Sequence, residues 1–163
     1  MKKRTFIIAL SLFTALLIFA PSLASYVTAE ESILSQGETV YVSIYSHILV
    51  DAGKRQVPYE LSINVSIRNT DLNNAITILK ADYYDSNGNL LKHFLEKPIV
   101  LKPMASTYLY IAQIDKSGDW GSNYIIKWQA KAEVNQPIIE SVTTGTRGTQ
   151  AISFVFPGKV IQE

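Results

Sequence analysis

Along residues 61–68 apolar and polar side chains change places at every step. Leu61, Ile63, Val65 and Ile67 alternate with Ser62, Asn64, Ser66 and Arg68. A period of two sends successive side chains to opposite faces of a strand, so this stretch carries one apolar face that a second layer must cover. It lies within residues 58–71, which close on Asn69-Thr70-Asp71, residues that favour turns by bonding nearby backbone. The same period recurs in residues 38–47, where Val40, Val42 and Ile44 oppose Tyr41, Ser43, Tyr45 and His47. It recurs again in residues 124–132, where Tyr124, Ile126, Trp128, Ala130 and Ala132 face inward.

The segments between these fill in a β-pattern. Residues 51–56 are a charged loop with a glycine. Residues 76–85 are rich in β-branched and aromatic residues, with Leu79, Ala81 and Tyr83 facing in and Lys80 and Asp82 facing out. Asn87-Gly88 is a type I′ hairpin signal, and residues 90–95 return from it as a strand. Pro98 and Pro103 bracket a short piece suited to a sheet edge. Residues 106–114 are apolar on both faces, which predicts a central or covered strand. Residues 138–144 and 150–156 close the fold around Gly145-Thr146-Arg147-Gly148, and Pro157-Gly158 ends the last strand.

Strands separated by short turn signals, with no amphipathic helix, predict an all-β protein. The expected fold is an antiparallel β-sandwich of immunoglobulin/fibronectin-like type with seven to eight strands. Its two faces would meet through the Leu61–Ile67 side chains and those of Ile126 and Trp128.

The N-terminus changes this picture. Lys2, Lys3 and Arg4 precede an uncharged run at residues 6–20, Pro21 breaks it, and small residues follow. This is the three-part pattern of a secretory signal peptide. The apolar run falls short of the ~20 residues that a spanning helix needs, which favours cleavage over an uncleaved anchor. The expected organisation is a signal peptide at 1–24 with cleavage as late as 29, a flexible lead-in at 25–36, a sandwich domain at 37–157 and a tail at 158–163. Localisation would be exported, either periplasmic or extracellular, with no membrane span after cleavage. The chain has no cysteine, which excludes a lipid-modified cysteine and disulfides, so the domain relies on its core.

The chain has 15 basic and 14 acidic residues, and three of the basic ones sit in the leader. The remainder is slightly acidic, without the basic stripe that non-specific nucleic-acid binding needs.

Candidate chemistry is sparse. Asp85, Asn87, Asn89 and Glu96 fall at positions 1, 3, 5 and 12 of a calcium loop, but the required glycine at position 6 is Leu90. A hairpin turn accounts for the pattern, and no metal or cofactor is expected. Ser46 and His47 are neighbours, which on a strand would point to opposite faces and could not pair as nucleophile and base. His47 and His93, without cysteine, do not make a zinc site. Gly145-Thr146-Arg147-Gly148 reads as a hairpin loop in preference to an anion site. Asn64-Val65-Ser66 matches a glycosylation acceptor, but it lies in mid-strand.

The loop at residues 115–123 carries Asp115, Asp119, Trp120 and Asn123. An aromatic ring among polar loop residues either stacks on a sugar or a partner, or tucks beneath its own loop. With Tyr41, Tyr45 and His47, this loop is the candidate contact surface. The expected role is a non-catalytic binding or structural module whose partner is an envelope protein or polysaccharide. The competing reading is a hydrolase or carbohydrate-active enzyme using loop carboxylates, which would need two acids across a cleft. A small ligand inside the sandwich is a third.

Several short words occur in a fixed order: residues 37–47 (Gly-Glu-Thr-Val-Tyr-Val-Ser-Ile-Tyr-Ser-His), 66–71 (Ser-Ile-Arg-Asn-Thr-Asp), 82–88 (Asp-Tyr-Tyr-Asp-Ser-Asn-Gly), 95–98 (Leu-Glu-Lys-Pro) and 145–147 (Gly-Thr-Arg). Together they resemble the bacterial domain-of-unknown-function family 3124, over about residues 36–160. The resemblance implies an envelope or secreted protein and carries over no catalytic or binding residue. More loosely, the strand ending at Asn69-Thr70 resembles those of immunoglobulin-like and fibronectin-like modules.

Overall fold

The computed structural model describes residues 33–162. The leader and both cleavage positions lie outside these residues, as does residue 25–32 of the lead-in. The described residues form β1 (Leu34–Ser43), β2 (His47–Ala52), β3 (Arg55–Glu60), β4 (Ser62–Arg68), β5 (Ile76–Tyr84), β6 (Leu90–His93), β7 (Ile99–Leu101), β8 (Ser106–Ile111), β9 (Asn123–Asn135), β10 (Ile138–Arg147), β11 (Gln150–Pro157) and β12 (Lys159–Ile161). All pairings are antiparallel. The larger sheet runs β12-β1-β9-β5-β6, with β7 also on β5. The smaller runs β11-β10-β4-β8, and β2-β3 form a separate hairpin arm. Among the described residues no helix is long and apolar enough to cross a membrane.

The two sheets close over one core. Ile63, Val65 and Ile67 of β4, Leu109 and Ile111 of β8 and Ile139 of β10 come from the smaller sheet. They pack with Val40, Val42, Ile76, Ile78, Tyr83, Tyr124, Ile126 and Trp128 of the larger. The predicted lid over the β4 face is therefore in place, and the fold is an all-β antiparallel sandwich.

The strand count rises to twelve because three features depend on partners that local pattern does not reveal. Residues 51–56 are not a loop: the chain reverses at Gly53, with φ of 69°, and β2 and β3 pair around it. The stretch 58–71 is accordingly two strands broken at Leu61, which is fully buried where the arm leaves the sandwich. The tail is not loose either, since β12 pairs with β1 through Thr39, Val40 and Tyr41. The first strand begins at Leu34, before a register shift between Ser35 and Gly37.

Three facings and one burial differ from expectation. A bulge between Ile78 and Lys80 switches parity within β5, so Ile76, Ile78, Ala81 and Tyr83 are buried while Leu79 is only half-covered. Asp82 does face the outer side, yet it is buried, because the Lys80 ammonium at 2.9 Å and the His93 ring at 2.7 Å lie over it. Ala132 is exposed, since β5 stops pairing with β9 at Ala130. Finally, β8 is an edge strand, with Tyr108 and Tyr110 exposed on its outer face.

The turn after β5 is not type I′ either. Only Gly88 has positive φ, at 80°. Asp85 N–H donates to the Asn89 carbonyl at 3.0 Å and Gly88 N–H to the Asp85 carbonyl at 3.1 Å, which gives a longer loop closed by a left-handed glycine.

Candidate binding surface

Ser43 of β1 and Tyr84 of β5 both pair with Asn123 of β9. The segments 44–46, 85–89 and 112–122 therefore leave the larger sheet side by side, at one end of the sandwich. Backbone bonds tie them together. Ile44 N–H donates to the Ser122 carbonyl at 3.1 Å, and Ser86 N–H to the Gly118 carbonyl at 3.2 Å. Gly121 N–H donates to Ser86 Oγ at 3.0 Å. A loop held at so many points presents Trp120 on a fixed platform, and Trp120 is 58% exposed. The ring lies outside its loop and does not tuck beneath it.

The Trp120 ring is not alone. Its centroid lies 6.4 Å from that of Tyr45, edge-on. Tyr45 lies 5.0 Å from Phe156, and Phe156 6.2 Å from Phe154. Ile48 of the arm joins Tyr45, Phe154 and Phe156 around a shallow depression of about 90 Å³ that presents only apolar surface. Such a run of rings offers large contact area with few rotors to immobilise.

The other candidate residues divide around this run. Ser46 Oγ donates to the Asp119 carbonyl at 2.8 Å and lies 3.1 Å from His47 Nδ1. The two side chains do meet, because Ser46 sits at a bend where strand alternation does not apply. The hydroxyl has one hydrogen, and the Asp119 carbonyl takes it, so His47 must donate Nδ1–H to Ser46 Oγ. A histidine in that role is not the base of that serine, and Ser46 is buried. Asp119 is in the left-handed region at φ of 59°, with its backbone committed to Ser46 and its side chain in solvent.

Asp115 Oδ1 accepts from Ser117 N–H at 2.9 Å. Hydrogen bonds from the Ser117 hydroxyl and backbone hold this carboxyl below the usual range, so it stays ionised near neutrality and is poorly suited to act as an acid. Asn123 is half-buried as the first residue of β9. Tyr41 stands apart from the rings on β1, between Lys159 and Ile125 in the sheet. The calcium-like residues are occupied as well: Asp85 Oδ1 accepts from the backbone of Asn87 and Asn89, and Oδ2 from Asn89 Nδ2.

Ile48, Phe154 and Phe156 were absent from the sequence candidates. Ile152, Phe154 and Phe156 alternate with Ala151, Ser153 and Val155, a pattern that does not tell a covered face from an open one. The structure exposes it because β11 is the end strand of its sheet.

Residues 37–161 match the family described as "Protein of unknown function (DUF3124)". The chain belongs to the DUF3124 family. Among solved structures, it is similar to the "Crystal Structure of Thermotoga maritima 1070", with a TM-score of 0.40 and 14% sequence identity over 75% of this chain and 92% of that one. No curated protein matches it significantly.

In this DUF3124 chain, two of the recurring words have structural work. The Asn69-Thr70-Asp71 word builds a buried polar hub at the end of the sandwich away from Trp120. Asn69 Nδ2 donates to the carbonyls of Asn74 at 2.8 Å, Lys102 at 2.9 Å and Leu101 at 3.3 Å, and Asn69 Oδ1 accepts from Asp71 N–H at 3.0 Å. Asp71 Oδ1 accepts from the backbone of Asn73 at 2.9 Å and Asn74 at 2.7 Å, and Oδ2 from that of Asn135 at 3.3 Å. These bonds, with Asn73 first and burial opposing, hold the Asp71 carboxyl below its ordinary value.

The Gly145-Thr146-Arg147 word fastens the arm. Arg147 donates to the Pro58 carbonyl at 2.9 Å and lies over the Tyr59 ring. A Cβ on Gly145 would sit 2.8 Å from both the Glu60 carbonyl and the Tyr59 ring. The guanidinium is thus an arm clasp, as the hairpin reading implies.

Proposed function

We propose that this DUF3124 protein is an exported, non-catalytic binding or structural module of the bacterial envelope, and that it meets an envelope protein or polysaccharide through the rings at its Trp120 end. The observation that carries this reading is the unbroken run Trp120–Tyr45–Phe156–Phe154 on the surface, half of it standing on a loop pinned by backbone hydrogen bonds. Fixed exposed rings suit contact, and the carboxylate and imidazole beside them are tied up in holding the loop. Export is supported by the basic, apolar and small-residue order of the leader.

The test is binding of purified protein to isolated envelope material. Trp120→Ala and Tyr45→Ala should each weaken it about tenfold or more, as expected for a central aromatic contact, with melting unchanged in Trp120→Ala. Equal binding by wild type and both variants would sink the reading. Deleting residues 1–24 should abolish export, and normal export of that truncation would overturn the localisation.

A further inference from the structure

The edges of the two sandwich sheets are not equally protected. In the larger sheet, β6 has four residues with Lys92 and a register shift against β5, β12 has three with Lys159, and β7 has three. Short, charged or irregular edges resist pairing with another chain. The smaller sheet ends otherwise. Its β8 is uncharged, but its inward Leu109 and Ile111 are already buried.

At the opposite edge, β11 runs for eight residues (Gln-Ala-Ile-Ser-Phe-Val-Phe-Pro) without a charge, and its register with β10 is unbroken. Half of its backbone donors and acceptors point away from β10. Its inward face is also unfinished: Phe154 is 37% exposed, and Val155 on the other face is 57% exposed. A long, uncharged edge with an uncovered apolar face is built to receive a strand.

We propose that the strand is β11 of a second copy of this chain, paired antiparallel about a two-fold axis at Phe154. The argument is self-complementarity. In that register Phe154 faces its own counterpart, Ile152 faces the second copy's Phe156, and Ser153 faces its Val155. Every pair is uncharged, and the inward ones are the aromatic and aliphatic–aromatic pairs that favour sheet pairing. Such an interface uses the same patch twice and closes on itself. It joins the two smaller sheets into one, and it sets the second copy's Ile152 beside the apolar depression lined by Tyr45, Ile48, Phe154 and Phe156. The pairing covers Phe154 and Phe156 at one end of the ring run and leaves Trp120 at the other end outside it, so loss of pairing and loss of the Trp120 contact are read by different variants.

The purified protein should have the mass of two chains by light scattering. Phe154→Lys would oppose two ammonium groups at the axis and should give a folded monomer. Should that variant misfold, Phe154→Cys gives an independent reading. The chain has no cysteine of its own, and residues directly opposite on antiparallel strands lie about 4.5–5.5 Å apart at Cα, within disulfide reach. Mild oxidation should then cross-link Phe154→Cys into a covalent dimer, while Tyr108→Cys on β8 stays monomeric on denaturing gels. Trp120→Ala should remain dimeric. A monomeric wild type, a Phe154→Lys protein that is still dimeric, or cross-linking at position 108 in place of 154 would each overturn the proposal.

Discussion

At one end of the sandwich, Asn69 and Asp71 spend all their side-chain polar atoms on the backbone of three loops. At the other end, Trp120 is exposed with the half-buried Tyr45 beside it, and the bonding beneath them is carried by backbone groups and by the short side chains of Ser46, Ser86 and Asp115. Both ends join the same two sheets, and both carry Asp, Asn and Ser in turns. The difference lies in which part of each residue is committed. Where side chains satisfy the backbone, the surface is closed and any change is felt as lost stability. Where backbone and short polar side chains already hold the loop, a ring such as Trp120 is free to be read by a partner. The polar end is therefore the place to break the fold, and the aromatic end the place to break a contact.

The largest effect expected from a single change falls at the polar hub. Asn69→Leu would strip partners from the carbonyls of Leu101, which is buried, and of Asn74 and Lys102, whose bonds are partly buried, and from the buried Asp71 N–H. Leaving buried polar groups unpaired costs about 1–3 kcal/mol each, partly recovered by local relaxation, so a loss of about 3 kcal/mol is expected in chemical denaturation. A variant as stable as wild type would show that the hub is ornamental and that the two ends do not differ in kind.

Next comes a position where the aromatic end is itself sensitive. A Cβ on Gly118 would lie 1.9 Å from Tyr83 Oη and 2.7 Å from Ser122 Cβ. Tyr83 cannot swing aside, because it is buried and stacked 5.3 Å from Tyr124. Gly118→Ala should cost about 1–3 kcal/mol, the usual range for overpacking, and should weaken envelope binding by shifting Trp120. If stability falls and binding does not, the platform does not position the ring.

Acid sharpens the contrast further. Because the folded state depresses the Asp71 carboxyl below its ordinary 3.8, its contribution to stability is complete above that value and is lost as pH falls through the folded pKa. Asp82, Asp85 and Asp115 are shifted the same way and add to the slope. For Asp82, burial opposes the shift, and Lys80 and His93 outweigh it. Asp71→Asn keeps an acceptor for the Asn73 and Asn74 amides and cannot titrate. Its stability should fall less steeply than that of wild type below about pH 4, the ordinary carboxylate range. Parallel acid curves would remove Asp71 from the account.

Much of this was legible in the chain. The β4 face and its Trp128 lid followed from a local period of two, which needs no knowledge of partners. Trp120 stood out because a ring among loop residues has no core of its own to join, and Tyr45 because it lies on the polar face of its strand. What stayed hidden depended on distant pairing. One extra residue between Ile78 and Lys80 put Ile76 and Ile78 on the same face as Ala81 and Tyr83, and the burial of Asp82 came from Lys80 and His93 closing over it, neither of which a local period shows. Asn69-Thr70-Asp71 signalled a turn correctly, but not that residues 74, 101, 102 and 135 would converge on it. The exposure of Phe154 and Phe156 was hidden too, since alternation shows which face a side chain takes but not whether a second sheet extends far enough to cover it.

The smallest stability effect belongs to Trp120, and it is the most informative about the comparison. Its ring is 58% exposed and meets only the edge of Tyr45. Trp120→Ala removes little buried area and leaves the loop's backbone bonds to Ser86 and Ile44 in place. Unfolding free energy should change by less than about 0.5 kcal/mol, as for other surface positions. The same change should lower binding about tenfold or more. Stability and binding must separate at this residue if the two ends divide their work as described. A Trp120→Ala protein that loses several kcal/mol of stability would place the ring among the fold's supports, and the contact surface would then have to be sought on β11 alone.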